Sequence, residues 1–343
     1  MQVLITGCYR TGSEWLTQLM NNHPELTATM YVVNFMRFCH RRYDPVAEPA
    51  NHSRLLFEAA DRIWQRWGRR LPVYRILEDC AAQPEVTYAF LYDRMMRELF
   101  LGGGEGHWAE KTQLVWSRVP DFLEMFPQGK AVMILRDPRS VLASFKRYTY
   151  AAPPAYLGAV FNSLGAMQAA ADYQRRWGGS RFLALRYEDL VADTAGQLRR
   201  VFAFLGLSAD HDLTTPRDWR DPRGQRWEHN SAFLPPQAGA HQFDPQAAVR
   251  RWQEHLEPWE VGLCEAVCGP AMRAWGYQPS GTDTDWPTAL AHLLADANLT
   301  RFLRLWASEG RGVEEFPTDP LRPQNWDENA RTPSTPAAAA GGD

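Results

Sequence analysis

The arrangement of apolar and polar residues along the chain predicts alternating strands and helices. Apolar runs of the kind that form strands occupy residues 2–6 and 131–135, and residues 107–112 and 181–186 are predicted to be two further short strands. Apolar residues three and four positions apart predict helices at 13–21, 51–68, 85–101, 116–126, 188–207, 245–256, 258–275 and 287–306. A further helix is predicted to begin at Pro138, because proline is tolerated in the first helical turn.

These elements together predict an α/β fold. Residues 131–135 are apolar throughout, which is typical of a strand in a parallel sheet that is covered on both faces. Repeated strand–helix units therefore predict a central parallel sheet flanked by helices on both faces, with a P-loop-like strand–loop–helix at the N-terminus.

The same pattern predicts three parts along the chain. Residues 1–278 form the main domain, and residues 279–308 form a helical C-terminal appendage. Residues 309–343 are rich in proline, alanine, glycine and acidic residues and are predicted to be a disordered tail. Residues 210–244 are predicted to be a long loop, and loops of that length are commonly functional or disordered.

Composition narrows the class of protein. The chain has 343 residues, of which 45% are hydrophobic and 22% charged, so it can bury a large core and global disorder is excluded. The formal net charge of −3 argues against a surface devoted to nucleic acid. No run approaches the roughly 18 apolar residues that a membrane span needs, and the first residues lack the features of a signal peptide. We therefore expect no membrane span and a cytoplasmic location.

The five cysteines fit reduced thiols better than a disulfide framework. Cys264 and Cys268 lie four residues apart, and no second cysteine or histidine pair stands nearby to complete a zinc site. We expect no bound metal.

The first candidate site is the segment between the first strand and the first helix, residues 7–16. Backbone N–H groups in such a loop, with a helix N-terminus behind them, form a site for a phosphate-like anion. Arg10 adds a positive charge and Ser13 a hydroxyl. Ser13 stands where the Walker A pattern requires lysine, which disfavours an ATPase or kinase. The alternative is a tight turn with an exposed arginine.

The second candidate site follows the strand at residues 131–135. Ligands of open parallel sheets bind at the carboxyl ends of the strands. Arg136 stands at such an end, and Ser144 follows 144 − 136 = 8 residues later. The alternative is that Asp137 caps the helix and the arginines are solvated.

The two sites in this order resemble the sulfotransferases that use 3′-phosphoadenosine 5′-phosphosulfate (PAPS). The resemblance runs from residue 1 to about Tyr277. The matching stretches are Arg10-Thr11-Gly12-Ser13-Glu14-Trp15-Leu16, Glu110-Lys111-Thr112, Arg136-Asp137-Pro138-Arg139, Arg186-Tyr187-Glu188-Asp189-Leu190, Phe204-Leu205-Gly206-Leu207 and Gly276-Tyr277. The resemblance implies transfer of a sulfuryl group from PAPS to a hydroxyl, or an amine, of a small-molecule or carbohydrate acceptor. Adenosine 3′,5′-bisphosphate (PAP) would be the product, and no metal is needed.

The resemblance also implies roles for single residues. Arg136 and Ser144 would hold the 3′-phosphate, Tyr187 would lie near the adenine, and Lys111 would reach the sulfuryl group or the acceptor. Arg10 would neutralise the leaving oxygen. The residues that would surround the 5′-phosphosulfate are Arg10, Thr11, Gly12, Ser13, Glu14 and Trp15. Many relatives have a hydroxyl at the position of Glu14, so its role is open.

The general base stays open at this point. The cytosolic branch of the family has a histidine two residues after the lysine, whereas this chain has Gln113, which cannot act as a base. Glu110 and His40 are the leading candidates, followed by His107 and Asp44.

Four arginines of the long loop, Arg217, Arg220, Arg223 and Arg226, fit a basic segment that closes on the nucleotide, because arginine makes bidentate phosphate contacts. The alternative is a solvated basic loop. Trp64, Trp67, Trp219, Trp227, Trp252 and Trp259 are expected to be mostly core or interface residues.

Two other functions remain as alternatives: a P-loop nucleoside or sugar kinase, and a relative that binds the nucleotide without catalysis. We expect no nucleic-acid partner, and a homodimer is a further expectation. The sequence does not identify the acceptor.

Overall fold

The computed structural model describes residues 1–148, 153–215, 219–227 and 244–315. Its centre is a sheet of five parallel strands in the order β2-β3-β1-β4-β5. The strands are β1 (Gln2–Gly7), β2 (Leu26–Met30), β3 (His107–Lys111), β4 (Lys130–Leu135) and β5 (Phe182–Arg186). The predicted parallel sheet is confirmed.

Fifteen α-helices connect and cover the strands in the described ranges. They are α1 (Ser13–Met20), α2 (Phe35–Phe38), α3 (Pro49–Trp67), α4 (Val73–Ala81), α5 (Tyr88–Phe100), α6 (Val119–Met125), α7 (Pro138–Tyr148), α8 (Gly158–Trp177), α9 (Tyr187–Ala192), α10 (Thr194–Leu205), α11 (Pro245–Arg250), α12 (Trp252–His255), α13 (Pro258–Ala274), α14 (Trp286–Leu294) and α15 (Ala297–Glu309).

The alternation of side chains along the strands divides the core into two layers. On one face, Leu4, Trp108 and Met133 pack against helices that include α5, α8 and α13. On the other face, Val3, Ile5, Val132 and Ile134 pack against α1, α9 and α10. Helices therefore cover both faces, as predicted.

The strand register brings the carboxyl ends of four strands to one edge. Ile5 pairs with Lys111, Gly7 with Ile134, and Leu135 with Arg186. The segments that follow β1, β3, β4 and β5 consequently start side by side, although they are far apart in the sequence.

Several elements differ from their prediction for physical reasons. β2 was not predicted, because its alternating sequence Leu-Thr-Ala-Thr-Met is only five residues long and its central Ala and Thr residues differ little in polarity. α8 was missed because its own small and apolar side chains lie on all sides of the helix. Much of the helix is therefore buried, and its sequence shows no amphipathic stripe. The helix predicted over 188–207 is two helices, because the Asp193 side chain accepts a hydrogen bond from the Gly196 N–H and starts α10 anew. Asp296 likewise caps α15 and divides the helix predicted over 287–306.

Residues 311–315 lie along α8. The Val313 N–H donates to the Phe161 carbonyl at 3.0 Å, and the Glu315 N–H donates to Asn162 Oδ1 at 2.8 Å. The disorder predicted from residue 309 therefore does not hold for these residues, since their backbone is bonded to the core. Residues 316–343 lie outside the described residues, and the three-part division of the chain stays a prediction.

Gly165 of α8 provides a test of this packing. A Cβ atom at Gly165 would lie 2.5 Å from the Val313 carbonyl oxygen, a backbone atom that cannot move aside alone. We expect Gly165→Ala to lower the free energy of unfolding by about 1–3 kcal/mol, as overpacking does. Gly269→Ala in α13 is the matched control, because its nearest neighbour would be a flexible Arg273 Nη1 at 3.5 Å. Urea unfolding of both variants checks the prediction, which equal stabilities would contradict.

Candidate functional site

The segment after β1, residues 7–13, is called the anion loop. Gly12 has a φ of 85° and precedes α1 without a side-chain cap, so the first N–H groups of α1 point toward the loop. A Cβ atom on Gly12 would lie 2.4 Å from Cδ2 of Tyr187. Only glycine therefore allows the ring of Tyr187 to lie against the loop. The hydroxyl of Thr11 donates to the Cys8 carbonyl at 2.8 Å and fixes the turn.

Arg136 joins the anion loop to the end of β4. Its Nη1 donates to the Arg10 carbonyl at 2.8 Å, and its Nη2 donates to the Ala248 carbonyl. Its guanidinium carbon lies 4.6 Å from the centroid of the Tyr187 ring. Arg10 Nε in turn donates to Ser144 Oγ at 3.0 Å. The two motifs that the sequence predicted to act together are in contact.

Positive charge accumulates around Arg136. Burial lowers the pKa of Arg136, and the charges of Arg10 and Arg251 lower it further, while Tyr187 and Glu188 oppose the shift. Arg251, between α11 and α12, was not singled out from the sequence; the signal that could have found it is the pair Arg250-Arg251 just after the long loop. A cluster of like charges around a buried arginine is a site that an anion would stabilise.

Asp137 and Arg139 have structural roles. Asp137 accepts bonds from the N–H and from Nε and Nη2 of Arg139 at 2.7–3.0 Å. Arg139 Nη1 also donates to Glu265 at 2.7 Å, and the guanidinium lies over the Trp252 ring at 4.2 Å. The alternative of a capping aspartate thus applies to Asp137, but these arginines are buried rather than solvated.

Aromatic rings line the β5 side of the site. Trp15 and Tyr187 meet edge to face, with ring centroids 6.0 Å apart. The Tyr187 hydroxyl donates to the Pro245 carbonyl at 3.1 Å, and burial raises the pKa of Tyr187 to about 12. The structure thus places Trp15 and Tyr187 together beside the anion loop, where they could receive a planar base.

Lys111, at the end of β3, is completely buried within a polar cluster. Its Nζ donates to the Tyr31 hydroxyl, lies 3.6 Å from the centroid of the Tyr31 ring and lies 3.8 Å from Glu14 Oε1. Tyr31 Oη is 2.7 Å from both Glu14 Oε1 and Gln113 Oε1, and its single proton can serve one of them at a time. Gln113 Nε2 lies 3.3 Å from Ser13 Oγ.

The charge state of Lys111 is sensitive to its surroundings. Burial lowers the pKa of Lys111 to about 7, with Glu14 opposing the shift and Arg10 adding to it. A negatively charged ligand nearby would raise that pKa again, because it stabilises the charged amine.

Tyr31 was missed in the sequence because β2, which it follows, was missed. Its backbone has a φ of 65°, which is rare for a residue with a side chain. The Tyr31 N–H donates to the Lys111 carbonyl at 3.1 Å, and Trp67 Nε1 donates to the Tyr31 carbonyl at 3.1 Å. Surrounding contacts therefore hold the strained residue in place.

The structure does not support Glu110 as the general base. Glu110 points to the face of the sheet opposite Lys111, as neighbouring residues on a strand do. Its oxygens accept bonds from the N–H groups of Val33 and Asn34 at 2.9 and 2.7 Å and from the Tyr92 hydroxyl at 2.6 Å. Burial raises the pKa of Glu110. Its acceptor sites are occupied by the chain that follows Tyr31, so Glu110 positions that segment.

The structure does not support His40 as the general base either, because its side chain does not face the anion loop. Its ring packs edge to face on Tyr88 with centroids 5.3 Å apart, and its Nδ1 lies 3.7 Å from Asp121 Oδ2. Burial lowers the pKa of His40 to about 4 despite the opposing charge of Asp121. Its described contacts are to α5 and α6 rather than to the anion loop.

The loop arginines are placed only in part. Arg217 and residues 228–243, which include His229, Asn230 and Ser231, lie outside the described residues. Residues 219–227 pack on α1 and α3: Gln18 Nε2 donates to the Arg220 carbonyl at 2.6 Å, and Arg223 lies over the Trp67 ring at 5.4 Å. Closure of Arg220, Arg223 or Arg226 on a nucleotide stays a prediction.

Trp64 is 49% exposed and is therefore not a core residue, and the expectation of core or interface tryptophans leaves it as a candidate for an interface. Within the described ranges, no three histidine, cysteine, aspartate or glutamate side chains come together as a metal site would require. No helix in the described part of the chain has the length and apolar character needed to cross a membrane.

Comparison with known proteins identifies a family and several relatives. The family model described as "Sulfotransferase family" matches residues 2–212. Among curated proteins, carbohydrate sulfotransferase 7 of Mus musculus is 37% identical over 112 residues, which are 33% of this chain and 22% of that protein. Omega-hydroxy-beta-dihydromenaquinone-9 sulfotransferase Stf3 of Mycobacterium bovis is 35% identical over 111 residues, which are 29% of this chain and 28% of that protein. These matches span less than a third of each relative.

Two solved structures share the fold. The sulfotransferase domain of the Synechococcus PCC 7002 olefin synthase aligns with a TM-score of 0.55 at 19% identity, over 81% of this chain and 95% of that one. The sulfotransferase domain from the curacin biosynthetic pathway aligns with a TM-score of 0.52 at 17% identity, over 80% and 97% of the two chains.

The lowered pKa of Lys111 predicts a dependence of stability on pH. The folded protein releases the Lys111 proton near pH 7, whereas the unfolded chain keeps it to about pH 10.5. The unfolded state binds more protons between these values, so this group makes the ligand-free protein more stable as pH rises. We expect Lys111→Met to gain stability over the wild type mainly at low pH, with the gain shrinking between about pH 7 and about pH 10.5.

Thermal melting of the two proteins across this pH range measures the effect. Glu25→Gln, at an exposed position, serves as a control for general effects of pH. A difference between wild type and Lys111→Met that does not vary with pH would contradict the prediction.

Proposed function

Because the chain belongs to the sulfotransferase family, we propose that it transfers the sulfuryl group of PAPS to a hydroxyl of a carbohydrate or small-molecule acceptor and releases PAP. The observation that carries the proposal is the 3.0 Å contact between Arg10 Nε and Ser144 Oγ. It joins the anion loop to α7, the helix that follows β4, so that two anionic groups of one nucleotide can be held at neighbouring points.

The residues at the site fit such a nucleotide. Arg136 Nε is buried and has no hydrogen-bond partner among the described residues, and a buried donor of this kind calls for an acceptor. Arg136, Ser144 and Arg251 would hold the 3′-phosphate. The loop N–H groups and Arg10 would hold the 5′-phosphosulfate, and Trp15 and Tyr187 would contact the adenine.

The proposed reaction is an in-line displacement at sulfur, in which position and charge do most of the work, as in phosphoryl transfer. Negative charge develops on the oxygen that bridges sulfur and the departing nucleotide. Arg10, the N-terminus of α1 and protonated Lys111 would stabilise that charge. Binding of the anion would also keep Lys111 protonated above pH 7.

The names of the relatives support the acceptor class. One is called a carbohydrate sulfotransferase, and the other is named for a substrate that carries an omega-hydroxyl. A hydroxyl acceptor is common to both.

We propose a cytoplasmic location, which is supported by five cysteines without disulfide bonds. Cell fractionation tests this location.

Nucleotide selectivity tests the proposal. A ligand at about 100 times its dissociation constant adds roughly 2.7 kcal/mol to the free energy of unfolding. We expect PAP to raise the melting temperature, and 5′-AMP, which lacks the 3′-phosphate, to raise it much less. Stabilisation by ATP–magnesium alone would overturn the proposal in favour of a kinase, and tight PAP binding without sulfuryl transfer would favour a non-catalytic relative.

The contribution of Arg136 can be measured separately. A hydrogen bond to a charged group contributes about 1.5–3 kcal/mol, so Arg136→Ala should weaken PAP binding by about tenfold to about a hundredfold. Arg199→Ala, at an exposed position on α10, is the control and should bind PAP as the wild type does. Calorimetric titration gives both affinities, and unchanged affinity in Arg136→Ala would remove that residue from the nucleotide site.

A further inference from the structure

Sulfuryl transfer to a hydroxyl requires a group that accepts the hydroxyl proton, and the structure narrows the choice. Glu110 is bonded to backbone N–H groups, His40 packs on α5 and α6, and the amide of Gln113 cannot accept a proton at neutral pH. His107 lies at the opposite end of β3 from Lys111, beside the amine of Met1, and Asp44 bonds to Tyr88 of α5. A base must come within about 3 Å of the acceptor oxygen. It must therefore belong to the cluster around Lys111, where the sulfuryl group is proposed to lie.

Glu14 is the carboxylate of that cluster. It stands in the first turn of α1, next to Ser13 of the anion loop, and its side chain keeps 11% of its surface exposed. Oε1 accepts the Tyr31 hydroxyl at 2.7 Å and lies 3.8 Å from Lys111 Nζ. A carboxylate offers about four lone-pair sites, so a carboxylate held by these contacts can still accept a bond from an acceptor hydroxyl.

The other titratable groups of the cluster are unsuited to accept the proton. Burial and the charge of Glu14 raise the pKa of Tyr31 well above its ordinary value, so Tyr31 keeps its proton and acts as a donor. Lys111 is protonated when an anion lies beside it. The remaining neighbours of the cluster are Tyr9 and Arg10, whose charges act on Tyr31, and Arg10 also acts on Lys111.

We infer that Glu14 is the general base of the reaction, held in place by Tyr31 and Lys111; the inference rests on the proposed function. The acceptor oxygen forms a bond to sulfur, while the bond between sulfur and the bridging oxygen breaks. The electron pair of the broken bond stays on the phosphate of PAP. The hydroxyl proton passes to the Glu14 carboxylate and then to water. No oxidant, reductant or metal takes part.

The strained backbone of Tyr31 fits this assignment. Non-glycine residues at positive φ persist where surrounding contacts determine them, and they cluster at active sites. The bonds to Lys111 and Trp67 fix the backbone, so the Tyr31 hydroxyl is presented to Glu14. Tyr31 is thus a positioning residue.

The experiment compares wild type, Glu14→Gln, Glu14→Asp and Tyr31→Phe in transfer from radiolabelled PAPS. The acceptor probes are oligomers of N-acetylglucosamine and octan-1-ol. Loss of a general base costs about 10²- to about 10⁴-fold in rate. We expect the kcat of Glu14→Gln to be lower than that of the wild type by this factor, while PAP raises the melting temperature of both proteins equally. The decrease of kcat at low pH should be absent in Glu14→Gln.

Glu14→Asp keeps the carboxylate, so it should retain the fall at low pH with a lower maximum. Tyr31→Phe should shift that limb of the profile, because the carboxylate loses a hydrogen-bond donor. Glu98→Gln is the control, since Glu98 is a nearly buried glutamate of α5 paired with Arg94, and its kcat should equal that of the wild type.

The outcomes separate the two proposals. Wild-type protein that transfers sulfuryl to neither probe overturns the acceptor class under the proposed function, and the inference with it. Wild-type transfer together with near-normal kcat in Glu14→Gln overturns the inference alone. If Glu14→Gln does not fold, an Asp variant whose activity no longer falls at low pH also overturns the inference.

Discussion

Arg136 is the point on which the site depends, because one guanidinium connects four separate parts of the chain. It follows β4, donates to the anion loop after β1, donates to the carbonyl of Ala248 in α11, and lies over Tyr187 at the start of α9. The first two of these segments and α9 each follow a different strand of the sheet, β4, β1 and β5 respectively. The strand order brings them together, and Arg136 fixes their relative positions.

The fold was predictable because its evidence is local. The predicted strands β1, β3, β4 and β5, the loop before Ser13 and Pro138 at the start of α7 each carry their signal within a few residues. Both motifs were predicted to contact one nucleotide, and the contact of Arg10 with Ser144 shows that they lie side by side.

The general base was not predictable from the sequence, because the evidence for it is not local. Whether a carboxylate accepts backbone N–H groups or faces a ligand depends on contacts between distant segments. Glu110 and Lys111 are neighbours in sequence, yet they point to opposite faces of the sheet. Tyr31 and Arg251 acquire their roles only through the packing of β2 and α11, and neither residue belongs to a motif that stands out in the sequence.

The stretch at 311–315 has a consequence for how the protein should be produced. The N–H of Ser117 is bonded to the carboxylate of Glu314, and Asn162 bonds to the backbone of Glu315 on both its oxygen and its nitrogen. A chain cut before residue 311 would leave these groups and the Phe161 carbonyl facing solvent beside the apolar side chains of α8. Expression boundaries and affinity tags at the C-terminal end consequently belong after residue 315.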